Sequence, residues 1–308
     1  MRIAVFGAGG IGGYFGGRLA RAGHDVTFIA RGAHLAALRT GGLRVRSASG
    51  DFALAIRATD RPAEAPAPAD LVLIAVKSYD TAAAVAGIAP LIGSETAILT
   101  LQNGVSNHAA FAEVYGAARV LAGTAQIEAT IGEPGTIVQP SPFARIALGA
   151  LVPEGRVRAE AVVAALVAAG LEARFAPDTP LALWQKFIFL SPVAGVTALT
   201  GLPVGEVRGR RDTRELLAAA LDETVAAGRA SGVALAPDAA AGVLAFVDGL
   251  PAAMKTSLQR DLERGGRLEV EALQGEVVRL GRDLGVPTPV NLALYVYLAR
   301  ADERGRAR

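Results

Sequence analysis

Met1-Arg2-Ile3-Ala4-Val5-Phe6-Gly7-Ala8-Gly9-Gly10-Ile11-Gly12 is the stretch that decides the fold. An apolar run from the first residues reads as a buried strand, the glycines interrupt it, and a helical stretch from Tyr14 to Ala22 follows. The first glycine of such a loop permits a tight turn, the second lets the backbone approach a pyrophosphate, and the third lets helix and strand pack closely. The phosphate then sits at the helix N-terminus. Glycines at this spacing are weak evidence by themselves. Placed between a first strand and a helix, Gly7, Ala8, Gly9, Gly10, Ile11 and Gly12 read as a dinucleotide-binding loop. The competing reading is a glycine turn in a doubly wound fold that binds nothing.

Residues 1 to about 110 alternate short β-branched runs with alanine-rich helical stretches, the pattern of βαβ units around a parallel sheet. Strands are expected at 1–6, 25–30, 71–76 and 97–101, each ending where a polar or glycine-rich loop begins. In open α/β sheets ligands lie beyond those carboxyl ends. From about 115 to 178 the signal thins to strand-like pieces at 136–139 and 145–149 and a helix near 156–169. Beyond Pro177-Asp178-Thr179-Pro180, helices are expected at 181–199, 213–231, 239–247, 255–263 and 269–284. The expected fold is α/β, with an N-terminal Rossmann-type parallel sheet over residues 1–178 binding a dinucleotide. A C-terminal all-helical domain over 179–308 is expected to carry substrate and catalytic groups. Two domains suit a chain of 308 residues, since single cores stop growing at about 250–300 residues.

The second strand ends in Ile29-Ala30-Arg31, with no acid beside it. An Asp or Glu there would serve the ribose hydroxyls of NAD, whereas Arg presents a planar donor fork to a 2′-phosphate. Arg31 therefore points to NADP. A solvated surface arginine is the bland alternative, since Arg39, Arg44 and Arg46 make the region generally basic. Two further strand ends carry Lys77 and the loop Gln102-Asn103-Gly104. A lysine there can bind a cofactor or a substrate oxygen, and Asn103 can donate and accept at once.

Composition narrows the classes. Hydrophobic residues make up 52% of the chain, but the longest apolar run near a strand, 71–76, falls well short of the roughly 20 residues of a spanning helix. No membrane segment is expected. The N-terminus runs straight into glycines without the apolar stretch of a signal peptide, so a cytoplasmic location is expected. Cysteine is absent, which removes disulfides and thiolate chemistry. A net charge of +2 from 31 basic and 29 acidic residues, interspersed except in the tail 300–308, suggests no nucleic-acid partner. That tail reads as a frayed, solvated end. The three histidines, His24, His34 and His108, fall in the cofactor half and lack metal-ligand spacing, so no metal is expected.

Read together, these features resemble the ketopantoate reductase family. The resemblance rests on the glycine loop, Arg31, Val76-Lys77, Gln102-Asn103-Gly104 and Leu183-Trp184-Gln185-Lys186. It continues through Thr256-Ser257 with Asp261, Leu268-Glu269-Val270-Glu271 and Gly285-Val286-Pro287-Thr288-Pro289-Val290-Asn291. It implies NADPH-dependent reduction of a small 2-oxo acid, by default ketopantoate, and a possible homodimer. Hydride reduction of a ketone leaves an alkoxide that needs a proton donor and nearby positive charge. The resemblance gives Lys186 that role, with Glu269 binding substrate and orienting the lysine, and Asn103 and Ser257 binding substrate. Glu271 is the reserve for Glu269. It places Lys77 and Asn103 among the cofactor-binding residues as well.

One departure bears on the substrate. The resemblance implies substrate-binding asparagines four and eight residues after the lysine and a further one downstream. Here those positions are Leu190, Ala194 and Val204. Ser191 or Thr197 could substitute, and Pro192 is expected to disturb the helix enough to move them. An apolar 2-oxo acid thus competes with ketopantoate. A 3-hydroxyacid dehydrogenase shares the two-domain plan and a catalytic lysine, and a silent NADPH-binding sensor is the non-enzymatic alternative.

Overall fold

The computed structural model describes residues 1–306; Ala307 and Arg308, the last of the basic tail, lie outside the described residues. Spatial contacts divide the chain into two compact units, Met1–Gln102 with Ser106–Ala182, and Asn103–Val105 with the chain from Leu183 onward.

The first unit is organised around β1 (Arg2–Phe6), buried on both faces. Side chains alternate along a strand. Ile3 and Val5 accordingly enter one core, and Ala4 and Phe6 another on the opposite side. A strand covered on both faces must be continuously apolar, which is why the N-terminal run shows no polar alternation. The chain continues through α1 (Gly10–Arg21), β2 (Asp25–Ile29), α2 (Gly32–Gly41), β3 (Leu43–Ser47), β4 (Phe52–Leu54), β5 (Arg57–Thr59) and β6 (Leu71–Ile74). Next come α3 (Thr81–Gly87), β7 (Ala97–Thr100), α4 (Asn107–Tyr115), β8 (Val120–Ile127), β9 (Thr130–Glu133), β10 (Thr136–Gln139), β11 (Ala144–Ala150), α5 (Arg156–Ala168) and β12 (Glu172–Phe175).

The main sheet has the order β12-β11-β8-β7-β6-β1-β2-β5. β1 is the switch point, parallel to β2 on one side and β6 on the other, with Ile3 opposite both Val26 and Leu71. The loops after β1, β2 and β6 therefore leave the sheet at the same edge, where ligands of such sheets bind. Two features depart from a purely parallel expectation. β11 is antiparallel to β8, and β10 joins a separate four-stranded sheet, β4-β3-β10-β9, in place of the main one.

The second unit is helical among the described residues. It comprises most of α6 (Thr179–Thr200), then α7 (Val204–Gly209), α8 (Arg211–Ala230), α9 (Ala239–Asp248), α10 (Ser257–Glu263), α11 (Glu276–Leu284) and α12 (Pro289–Arg306). Its core gathers Val193, Val196, Val204, Val207, Leu217, Ala220, Val247 and Leu294. α6 is long and apolar enough to cross a membrane by length and composition, yet 67% of its most apolar window is buried inside the protein, as in a core helix.

Two expectations need correction here. The helix expected over 269–284 opens as a π-turn at Glu271–Gly275, in which the Gly275 N–H donates to the Val270 carbonyl at 2.9 Å. The tail is not frayed through residue 306: it completes α12, and the buried Asp302 carboxylate accepts from the Leu268 N–H at 2.7 Å. An internal partner of this kind holds a terminal turn that composition alone marks as loose.

Candidate active site

The first unit presents a glycine loop closed by tight backbone contacts. Gly7 has φ +102°, a conformation that side chains resist, and a Cβ on Gly12 would lie 2.1 Å from the Gly7 carbonyl oxygen. Gly9 differs, because among the described residues beyond its chain neighbours nothing lies within 4 Å of the Cβ position it lacks. Gly9 is also the N-cap of α1, which has no side-chain cap and no acidic residue in its first turn. The first N–H groups of a helix have no intrahelical acceptor. An uncapped helix start behind an open glycine thus fits a dinucleotide pyrophosphate.

Two histidine contacts steady this loop. His34 Nε2 donates to the Ala8 carbonyl at 2.9 Å, while its Nδ1 accepts from the Gly135 N–H at 3.1 Å. Using one nitrogen as donor and the other as acceptor requires neutral imidazole. Burial lowers the His34 pKa, outweighing the Ala8 bond that raises it. This residue was legible only as a histidine without metal spacing, since its partners are 26 and 101 residues away.

Arg31 is exposed, two residues past β2 and at the N-cap of α2. Lys77 follows β6 and is partly buried. The Gln102 side-chain amide donates to the Lys77 carbonyl at 3.4 Å and to Thr81 Oγ1 at 2.9 Å, so Gln102 braces the backbone that carries Lys77.

In the second unit, Lys186 Nζ donates to Asn103 Oδ1 at 3.0 Å. The other end of the same amide, Asn103 Nδ2, donates to Glu269 Oε2 at 3.3 Å. Asn103 is therefore a two-ended bridge, its carbonyl toward the cation and its amino group toward the carboxylate. Lys186 is partly buried, and protein packs around it densely enough that burial lowers its pKa to about 8, with the Glu269 charge opposing the shift. Glu269 itself is 4% exposed. Trp184 and Phe187 pack edge to face beside the lysine along α6, with ring centroids 5.2 Å apart.

Of the site residues expected in this unit, Lys186, Asn103 and Glu269 come together. Ser257 opens α10, is partly buried, and is not among the groups hydrogen-bonded to that triplet. Glu271 is exposed and accepts from the Tyr295 hydroxyl at 2.9 Å, whereas Glu269 is the carboxylate that Asn103 contacts. Thr197 does not supply a replacement polar group: its hydroxyl bonds the Val193 carbonyl at 2.8 Å and Thr256 Oγ1 at 3.1 Å. Pro192 lies inside α6, and the helix continues past it. Asn291 is structural, its amide donating to the Ala220 carbonyl and to Glu223 at 2.9 and 2.8 Å.

Comparison with known proteins accords with this layout. Residues 3–153 match the ketopantoate reductase PanE/ApbA family, and residues 178–302 match the ketopantoate reductase PanE/ApbA C-terminal family. The chain is 31% identical to the 2-dehydropantoate 2-reductase of Mesorhizobium japonicum across 99% of both chains. The crystal structure of 2-dehydropantoate 2-reductase from Geobacter metallireducens is 34% identical, with a TM-score of 0.92 over 98% of this chain and 100% of that one. D-mandelate dehydrogenase, in a ternary structure with NADH and anilino(oxo)acetate, also has a TM-score of 0.92 over 99% of each chain, but at 19% identity the likeness is one of fold. With both halves matched in order along nearly the whole chain, the protein belongs to the ketopantoate reductase family and is an oxidoreductase.

Proposed function

We propose that the chain reduces a 2-oxo acid to the 2-hydroxy acid with NADPH, Lys186 acting as the proton donor. The observation that carries this reading is the Lys186 ammonium, its pKa brought by burial to about 8 and its position tied through Asn103 to Glu269. A general acid works best when its pKa lies near the operating pH. When bound, the cofactor supplies hydride to the carbonyl carbon. As the C=O π pair moves onto oxygen, Lys186 holds positive charge at that oxygen and gives it a proton, leaving a neutral amine that solvent reprotonates. Glu269 offsets part of the cost of burying the ammonium, and Asn103 sets the direction of its Nζ.

Arg31 is assigned to the 2′-phosphate of NADPH. Charge-assisted hydrogen bonds are worth about 1.5–3 kcal/mol, so Arg31→Ala should weaken NADPH binding by roughly 10- to 100-fold. NADH binding should barely change. Fluorescence titration with each dinucleotide reads this directly, and equal losses for both would remove the 2′-phosphate assignment.

The relatives' names favour ketopantoate as substrate, and the residues in place of the family's asparagines favour an oxo acid with an apolar side chain. Ala194 is fully buried, and Val204 is 1% exposed inside the apolar core of the second unit. Neither can pair a substrate hydroxyl, and an unpaired buried hydroxyl costs about 1–3 kcal/mol. A branched aliphatic or aromatic 2-oxo acid should therefore exceed ketopantoate in kcat/KM by roughly 5- to 150-fold. NADPH oxidation across a panel of 2-oxo acids tests both steps. Ketopantoate as the best substrate would refute the apolar preference, and no turnover despite tight NADPH binding would refute the reductase reading altogether.

A further inference from the structure

We propose that Gln274 is a positioning residue for the Lys186–Asn103–Glu269 triplet, strapping together the two backbone segments that carry the acid and its carboxylate. This rests on the reading of Lys186 as proton donor.

Gln274 is fully buried, and its Nε2 donates to the Ser191 carbonyl at 2.6 Å. Ser191 lies five residues beyond Lys186 on α6, and Gln274 lies five residues beyond Glu269. One side-chain amide thus closes a second link between segments already joined through Asn103. Both segments are irregular where the strap attaches. Pro192, immediately after Ser191, has no N–H to give the Ile188 carbonyl, which removes one rung of α6. On the other side Gln274 sits within the π-turn, a geometry often found at functional sites. Each irregularity gives its backbone a way to shift, and the amide opposes such a shift.

α6 also makes room for this contact. A Cβ on Gly195 would stand 2.9 Å from Gln274 Nε2 and 3.0 Å from Leu294 Cδ1. The amide meanwhile is costly to stability, because Gln274 Oε1 is buried with no hydrogen-bond partner among the described residues. Replacing buried polar groups by apolar ones of similar shape is commonly neutral or stabilising. A core chosen for stability alone would place methionine here; a glutamine suits a requirement for geometry.

The test is a direct titration of Lys186. The chain has only three lysines, Lys77, Lys186 and Lys255, so protein labelled with ¹³C at lysine Cε gives a spectrum that Lys186→Arg assigns. Glu269 raises the Lys186 pKa; loosening the strap weakens that influence, so the midpoint should move to lower pH. In Gln274→Met the expected shift is about half a unit to one unit, with Tm unchanged or higher. Gly195→Ala, which pushes on the same amide from α6, should shift the midpoint in the same direction.

An unmoved Lys186 midpoint in both variants, with or without a fall in Tm, would overturn the proposal and leave Gln274 as core packing. The titration needs no substrate. Absence of turnover across the oxo acid panel would refute the reductase reading while the positioning result still stood or fell on its own.

Discussion

Replacing Lys186 by methionine should lower reductive turnover by about 10²- to 10⁴-fold, the usual contribution of a positioned general acid, while NADPH binding stays unchanged. Methionine matches the lysine stem in length and removes only the ammonium, so α6 keeps a side chain of nearly the same volume at this position. The pH profile separates a proton donor from a mere substrate anchor. With the Lys186 pKa lowered to about 8 by burial, the ammonium form needed for reduction is depleted as pH rises through that value. Reduction should fall along a basic limb near pH 8, and oxidation of the hydroxy acid, which needs the neutral amine, should rise over the same interval. Glu269→Gln removes the charge that raises this pKa and should move the limb to lower pH. Steady-state rates between neutral and strongly basic pH decide the matter: a Lys186→Met enzyme within tenfold of the parent, or a flat parent profile, would take the acid role from Lys186.

The cofactor half was largely legible because buried parallel strands print themselves as apolar runs. Leu71–Ile74 is buried at every position and lies in an apolar run, 71–76, bounded by Asp70 and Lys77. Of the second sheet, β10 was expected over 136–139, but β3 and β4 were illegible for the converse reason. β4 is only three residues long and exposed or half-buried throughout. β3 alternates Leu43 and Val45 inward with Arg44 and Arg46 outward, and those arginines read as a basic region instead of a strand.

The Lys186–Asn103–Glu269 triplet was legible residue by residue only through family resemblance, and its wiring was not. Asn103 lies 83 residues before Lys186 and 166 before Glu269. A local reading of the loop could say that an asparagine donates and accepts, but not to whom. Glu269 could equally have been a carboxylate favoured by a helix dipole. The π-turn leaves it just before the helical residues, buried, with Asn103 donating to it. The π-turn itself had no signal, since the apolar spacing of Val270, Leu273, Val277 and Leu280 suits an ordinary helix.

Substituting alanine at two glycines of one loop should produce opposite failures, and the pair tests whether the loop binds phosphate or only turns the chain. In Gly12→Ala the added methyl would stand 2.1 Å from the Gly7 carbonyl oxygen, 2.9 Å from Val5 Cγ1 and 3.1 Å from Ala75 Cβ. The first of these is backbone at a fixed turn, so α1 must lift away from β1. Overpacking of this kind costs about 1–3 kcal/mol, which appears as a lower Tm, with dinucleotide affinity falling as the helix start is displaced. Gly9→Ala meets nothing within 4 Å, and its φ of −70° is open to any residue. Its Tm should equal the parent's. The methyl nevertheless would occupy the space through which a pyrophosphate reaches the N–H groups of α1, so NADPH affinity should drop by roughly 10- to 100-fold, the loss of a charge-assisted hydrogen bond worth about 1.5–3 kcal/mol. Calorimetry paired with NADPH titration reads both. A Gly9→Ala protein that binds NADPH as the parent does would show that the open glycine faces no phosphate and reduce the loop to a turn.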